Sequence, residues 1–432
     1  MLVTNDEVAF EAYHLYPTNG LLNDPNGLVF FKGKYHVFYQ WNPKACNHKY
    51  KEWGHFISDD LKSWQRVETA LKPSLDNLDS AGIYSGAAFV HDDRLYVFYT
   101  GNVRDSAGHS IKSSQMWAVS DDGLNFEKLG ELFPHPQGFT KDVRDPMVWQ
   151  GKNGHYFLIL GAQHDNQVGD IIAYESTDFK NWLFRGSILG DQLQDVRGYM
   201  LECPGYIEVD GKQVLMFSPQ GLEPDTKNHR YENIHNTGYV VGHFDEATVK
   251  FHVDTDFKEV DQGFEFYAPQ TMVAPDGRRI MWGWAGMMTP DREAAVPTIA
   301  DKSWVHVLSV PRELHVNSQN ELVQRPIAEV LSPTLLTDFD QLKVGQYRIV
   351  SAEDWTIKLS QNAELKRVGN TVVFSRRQWE TEGIETRQIT GNVSQLLLIL
   401  DIDVLEVYTE DGLAAMTSRW FKLNSVYGKN NN

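Results

Sequence analysis

Apolar runs closed by short polar turns fill most of the chain before residue 316, and they recur. Five of them, YHVFYQ from Tyr35, LYVFYTG from Leu95, HYFLILGAQ from His155, QVLMFSPQG from Gln213 and RIMWGWAG from Arg279, begin 60, 60, 58 and 66 residues apart. Each follows a second strand-like run that ends in a turn: LVFFKGK, AAFVHDDR, MVWQGKNG, YIEVDGK and TMVAPDGR. Each pair predicts a β-hairpin. A further marker, Ser-Asp or Thr-Asp ahead of an aromatic, recurs in ISDDLKSWQRV, AVSDDGLNFEKL and YESTDFKNWLFRG. It predicts outer hairpins in which an Asp side chain caps a tight turn. Long helical periodicity is nearly absent before residue 310. Roughly four strands per unit, repeated five times, predict a five-bladed β-propeller.

The pattern breaks after SVPRELHV (309–316). The segment QNELVQRPIAEVLSPTLLTDFDQL lacks it and holds one short helix-compatible stretch. From about Gln346 short alternating runs return, among them YRIVSA, WTIKLS, NTVVFSRR and SQLLLILDID, and predict a small antiparallel β-sandwich. The expected organisation is all-β: a propeller over 1–318, a linker over 319–345 and a C-terminal sandwich over 346–432, with the GKNNN tail frayed.

Composition narrows the partners. At 432 residues there is room for one large domain and one smaller one. The formal net charge of −18 argues against nucleic acid or an anionic membrane as partner, and an anionic ligand would need a local basic pocket. The N-terminal stretch shows no basic region followed by an apolar run, and no segment reaches the apolar length of a membrane span. Cys46 and Cys203 are too few for a disulfide framework and lack metal-site spacing. The expectation is a soluble, cytoplasmic protein with its oligomeric state open.

Superimposing the repeats on their inner hairpins brings three acids together. Asp24, in NDPNG, precedes its YHVFYQ strand by 11 residues; Asp145, in RDP, precedes HYFLIL by 10; Glu202, in ECP, precedes QVLMFS by 11. The same place is held by Ser85 in the second unit and falls at Tyr267–Ala268 in the fifth. Proline follows each acid within two residues, which disfavours helix and predicts an extended approach. In a propeller these positions converge on one funnel, although an isolated Asp in such a sequence is usually only a turn residue. Three converging carboxylates repel, so at least one should keep its proton near neutral pH. That condition suits acid and nucleophile working as a pair. The chain has no D-x-D-x-D-G loop and no histidine pair beside the acids, so neither metal nor cofactor is expected.

The ordered motifs NDPNG (23–27), YHVFYQ-x-NP (35–43), WGH (53–55), YSG (84–86), RDP (144–146), ECP (202–204) and FYAPQ (266–270) resemble the β-fructofuranosidases of glycoside hydrolase family 32. The likeness is dense over about residues 10 to 320 and loose beyond them. It implies a propeller followed by a sandwich, and retaining double displacement on a small sugar substrate. It places the nucleophile on Asp24, the acid/base on Glu202 and transition-state stabilisation on Asp145. Asn23, Gln40, Tyr84, Ser85, Arg144 and Trp284 match its sugar-contacting positions. A retaining pair stands about 5–5.5 Å apart, and a charged Asp24 at that range should raise the pKa of Glu202.

Leu21-Leu22 replaces the Trp-Met of secreted invertases, and His48 stands about where they carry tryptophan. With FSPQGL and YENIHNTGYVVG, these features resemble the intracellular members that act on sucrose 6-phosphate. Such a substrate needs basic donors at the funnel rim, and the expected set is Lys227, His229, Arg230, His235 and His48; the loop PKACNHKYKEW (43–53), which holds His48, also offers Lys44, Lys49 and Lys51. The alternatives are free sucrose, short fructo-oligosaccharides, or a non-catalytic carbohydrate-binding propeller, the last disfavoured because both acid positions are intact. Cys203 is expected to pack rather than react. Among Trp41, Trp149, Trp282 and Trp284 only the last is expected to meet sugar, and His55 is expected to order a strand.

Overall fold

The computed structural model describes residues 11–74, 77–339, 342–381 and 383–421; the GKNNN tail lies outside the described residues. All five expected inner hairpins form as antiparallel pairs: Gly20–Phe31 with Lys34–Asn42, Gly82–His91 with Arg94–Arg104, Phe139–Gln150 with Tyr156–His164, Met200–Val209 with Lys212–Gln220, and Tyr267–Val273 with Arg279–Ala285. Each opens its own sheet of four or five strands. In the first three sheets the third and fourth strands meet at the Ser/Thr-Asp marker. There Asp60, Asp122 and Asp178 accept backbone N–H groups two and three residues ahead, at 2.6–3.0 Å. The marker is therefore a capped turn, as its short polar side chain requires.

The sheets share their apolar faces in sequence. Separate cores join the first sheet to the second, the second to the third, the third to the fourth and the fourth to the fifth. One more core, with Leu22, Val37, Phe56, Ile280 and Trp282, joins the fifth back to the first. The first strand of each sheet likewise touches that of the next, and the fifth touches the first. The circle is closed by Trp304–Val305, which pairs in parallel with Gly20 and Leu21. Burial on both faces explains why these strands read as near-continuous apolar runs rather than clean alternation.

Two features depart from expectation. The segment expected as a linker supplies Leu322–Pro326, the outermost strand of the fifth sheet, paired with Arg312–Val316. Two short helices, Pro290–Ala294 and Pro297–Lys302, each begin on a proline, where the missing N–H costs nothing. Beyond Thr334, two sheets of five and four strands pack on one core containing Ile349, Ile357, Phe374, Leu398 and Val407. Among the described residues no helix is long and apolar enough to cross a membrane.

Candidate active site

Each inner strand carries an irregularity at the same place. Regular pairing is interrupted between Leu22 and Pro25, Ile83 and Gly86, Arg144 and Met147, Glu202 and Gly205, and Tyr267 and Gln270. A bulge re-aims side chains out of the pleat. The repeated bulge sets the three acids around one centre: Asp24 and Asp145 lie within it, and Glu202 immediately before it. The expected extended approach does not hold throughout. Asp145, Cys203 and Ala268, each directly before a proline, have φ of 65°, 48° and 47°. Non-glycine residues held in this region cost about 1–3 kcal/mol each and cluster at functional sites.

These residues face a cavity of about 320 Å³, within the range of small-ligand sites. It brings together Asp24, Asp145 and Glu202 with Asn23, Gln40, Tyr84, Ser85, Arg144, Trp284, His48 and His235, all of which the sequence nominated. Lys227, His229 and Arg230 lie outside its lining. His229 faces Glu232 at 3.6 Å, and the Arg230 guanidinium stacks on Tyr231. Among the other tryptophans, Trp282 is fully buried in the core, Trp41 donates to the Asn19 carbonyl and Trp149 stacks on Tyr206. His55 bonds His36 at 2.9 Å and stacks on Phe38, a packing role.

A directed hydrogen-bond chain ends on Asp24. Lys51 donates to Asn23 Oδ1, Asn23 to Gln40 Oε1 at 2.6 Å, Gln40 to Ser85 Oγ at 2.6 Å, and Ser85 to Asp24 Oδ2 at 2.5 Å. Burial raises the Asp24 pKa; the Ser85 hydrogen bond opposes this only in part, and Glu202 adds to the rise. Burial and the nearby Glu202 likewise lift Asp145 to about 7, although it accepts the Cys203 N–H at 3.0 Å. Glu202 behaves otherwise. Burial pushes it up, but Arg144 at 2.7–2.8 Å and the Tyr267 hydroxyl at 2.6 Å overcome that and hold it below its ordinary value. The expected rise in Glu202 therefore falls on Asp145 and Asp24. Cys203 is buried, with its Sγ 3.9 Å from Asp24 Oδ2; burial and the adjacent acids push its thiol well up, so it packs rather than reacts.

Sequence reasoning missed three participants, Tyr267, Gln220 and Arg104. Tyr267 and Gln220 hold Glu202 Oε2, each at 2.6 Å. The available signals were FYAPQ at the acid register and a glutamine closing FSPQ. Lys51 and Arg104 also line the cavity, at the entry to EWGHFIS and the end of LYVFYTGNVR. Burial lowers the Lys51 pKa to about 7, with Asp24 and Glu293 opposing the fall and Arg104 adding to it. The floor acids are engaged by a hydroxyl, an N–H and a guanidinium, and a cation already beside Glu202 is a poor neighbour for a metal ion. A separate grouping of Glu11, His14 and Asp401 lies outside the cavity; both ring nitrogens of His14 already face carboxylates.

Residues 14–326 match the Glycosyl hydrolases family 32 N-terminal domain. The chain belongs to glycosyl hydrolase family 32. Relatives agree along nearly the whole length. Sucrose-6-phosphate hydrolase of Bacillus subtilis (strain 168) is 36% identical over 442 residues, 97% of this chain and 90% of the relative. That of Klebsiella pneumoniae is 36% identical over 426 residues, 95% of this chain and 88% of the relative. Among solved structures, sucrose-6-phosphate hydrolase from Lactobacillus gasseri superimposes with a TM-score of 0.82 at 29% identity, covering 96% of this chain and 88% of that one. A beta-fructofuranosidase mutant of Bombyx mori in complex with sucrose gives 0.76 at 29% identity, covering 95% and 89%.

Proposed function

We propose that this family 32 chain is a retaining β-fructofuranosidase that hydrolyses sucrose 6-phosphate to fructose and glucose 6-phosphate. The observation that carries the reading is the convergence of Asp24, Asp145 and Glu202 in one cavity, in a chain whose near full-length relatives bear that activity in their names. Asp24 attacks the anomeric carbon of the fructosyl unit; the glycosidic C–O bond breaks, and Glu202 protonates the departing oxygen. Water then attacks the same carbon, Glu202 takes its proton, and the bond to Asp24 breaks. For the first step Glu202 must carry a proton, and the Arg144 pair opposes this. Substrate hydroxyls competing for Arg144 would relax that pair. Asp145, with its own proton near neutrality, grips fructose hydroxyls, and Asn23, Gln40, Tyr84, Ser85, Arg144 and Trp284 complete the sugar site.

The same reading treats the five sheets as blades of a propeller and the last two as a C-terminal sandwich. The ring of five shared cores supports the first, and the common core of the final two sheets supports the second. The propeller would then run to Pro326 rather than 318, because Leu322–Pro326 completes its fifth blade. A phosphorylated substrate arises inside a cell, so the proposed location is the cytoplasm. The test is kcat/KM for sucrose 6-phosphate against sucrose, with Asp24→Ala as the blank. A ratio above about tenfold supports the reading, since that is roughly 1.4 kcal/mol of transition-state preference. A ratio near one, with activity lost in the blank, would leave a β-fructosidase acting on unphosphorylated sugar.

A further inference from the structure

Five basic side chains line the cavity: His48, Lys51, Arg104, Arg144 and His235. Arg144 is committed to Glu202 and Asp142, both at 2.7 Å. His48 bonds the Lys51 ammonium through Nδ1 and Glu293 through Nε2, each at 2.9 Å. With Lys51 donating, Nδ1 is the acceptor, so the ring is neutral and aims Lys51 rather than adding charge. His235 is also held towards its neutral form, chiefly by burial.

Arg104 and Lys51 remain, and neither forms an ion pair among the described residues. The Arg104 guanidinium is braced by neutral groups alone: the Tyr84 hydroxyl at 3.0 Å, the His48 carbonyl at 3.1 Å and the Gly108 carbonyl at 3.4 Å. Its Nε is buried without a partner. In a chain carrying a net charge of −18, a guanidinium and a neighbouring lysine amine on one cavity wall, neither in an ion pair among the described residues, suit an anion, whose charge would favour the ammonium form of Lys51.

We propose that Arg104 and Lys51 receive the phosphate of the leaving group, with His48 as the positioning residue for Lys51. This rests on the phosphorylated-substrate reading above. The fructosyl unit occupies the floor among the three acids, so the leaving glucosyl unit lies towards the mouth. There the His48 side chain is 45% exposed and Arg104 is half-buried. A braced guanidinium fork and an adjacent ammonium match phosphate oxygens in shape and charge. The 227–230 stretch offers less, since Lys227, His229 and Arg230 do not line the cavity.

The experiment measures kcat/KM for sucrose 6-phosphate and for sucrose in the wild type, Arg104→Gln, Lys51→Gln and a Lys227→Ala/Arg230→Ala double variant, with thermal melting to check folding. Inhibition by glucose 6-phosphate relative to glucose is a second readout. A wild-type preference above about tenfold is expected to collapse at least about tenfold in Arg104→Gln and Lys51→Gln, each tenfold being roughly 1.4 kcal/mol, and to survive in the double variant. Glucose 6-phosphate should lose its advantage over glucose as inhibitor in the same two variants. A wild-type ratio near one overturns the phosphorylated-substrate reading and this site with it. A large wild-type ratio that Arg104→Gln and Lys51→Gln retain overturns only the placement.

Discussion

Where the five-sheet unit meets the C-terminal sheets, Glu406 accepts from His14 at 3.0 Å, Arg312 at 2.9 Å and the Val310 N–H at 2.8 Å. Asp401 accepts from His14 and three backbone N–H groups, and Glu265 pairs with Arg376 at 2.6 Å. On the cavity floor, Asp24 accepts from the Ser85 hydroxyl and, weakly, the Cys203 thiol, Asp145 accepts the Cys203 N–H, and of the three acids Glu202 alone pairs with a guanidinium among the described residues. Both regions bury carboxylates. At the interface, burial pushes Glu406 up, but Arg312 and His14 overcome it and hold it at about 2; on the floor Asp145 rises to about 7. Balanced charge locks two units together, whereas unbalanced charge leaves protons mobile near neutrality, as acid–base chemistry requires.

The contrast can be broken at either end. Asp24→Ala removes the proposed nucleophile, and kcat is expected to fall by at least about four orders of magnitude without loss of melting temperature. Arg312→Met strips a fully buried cation from Asp261 and Glu406, and chemical denaturation should show a loss of about 3–5 kcal/mol while the folded fraction keeps its specific activity. An unchanged stability in that variant would mean the interface charges are not what holds the units together.

Smaller effects sharpen the contrast through pH. Burial opposes the His14 imidazolium, but hydrogen bonds to Asp401 and Glu406 raise its pKa from 6.5 to about 9. Its stabilisation is full below pH 6.5 and is lost as pH rises through 9, so His14→Gln should lower the melting temperature below pH 6.5 and little above 9. Asp145, raised from 3.8 to about 7, favours the fold while neutral, and that contribution is lost as pH rises through 7. Asp145→Asn should therefore melt higher than the wild type above pH 7, while losing activity. A variant that melts lower there would show that the charged carboxylate is stabilising.

The hairpins and the acid register were legible because both are local: period-two apolar runs, turn residues, and proline behind each acid. The bulge was not, because it arises where two strands fall out of register, and the positive φ of Asp145 before Pro146 runs against the local preference. Tyr267, Gln220 and Arg104 were missed for a related reason. Each matters through a partner on another strand, and Tyr267 reaches Glu202 across 65 residues of chain. Basic composition drew attention to the 227–230 stretch, yet composition is silent on which way a loop folds. Leu322–Pro326 escaped because LVQRP carries no blade pattern and becomes a strand by pairing with Arg312–Val316.

The most direct test of the central claim is to trap the intermediate. A Glu202→Ala variant, given a β-fructosyl donor whose leaving group needs no proton, should complete the first step and stall before the second. Mass mapping is expected to find one fructosyl unit on the peptide carrying Asp24, with β-fructose released slowly. An absent adduct together with release of α-fructose would mean single displacement by water, and Asp24 would then not be the nucleophile.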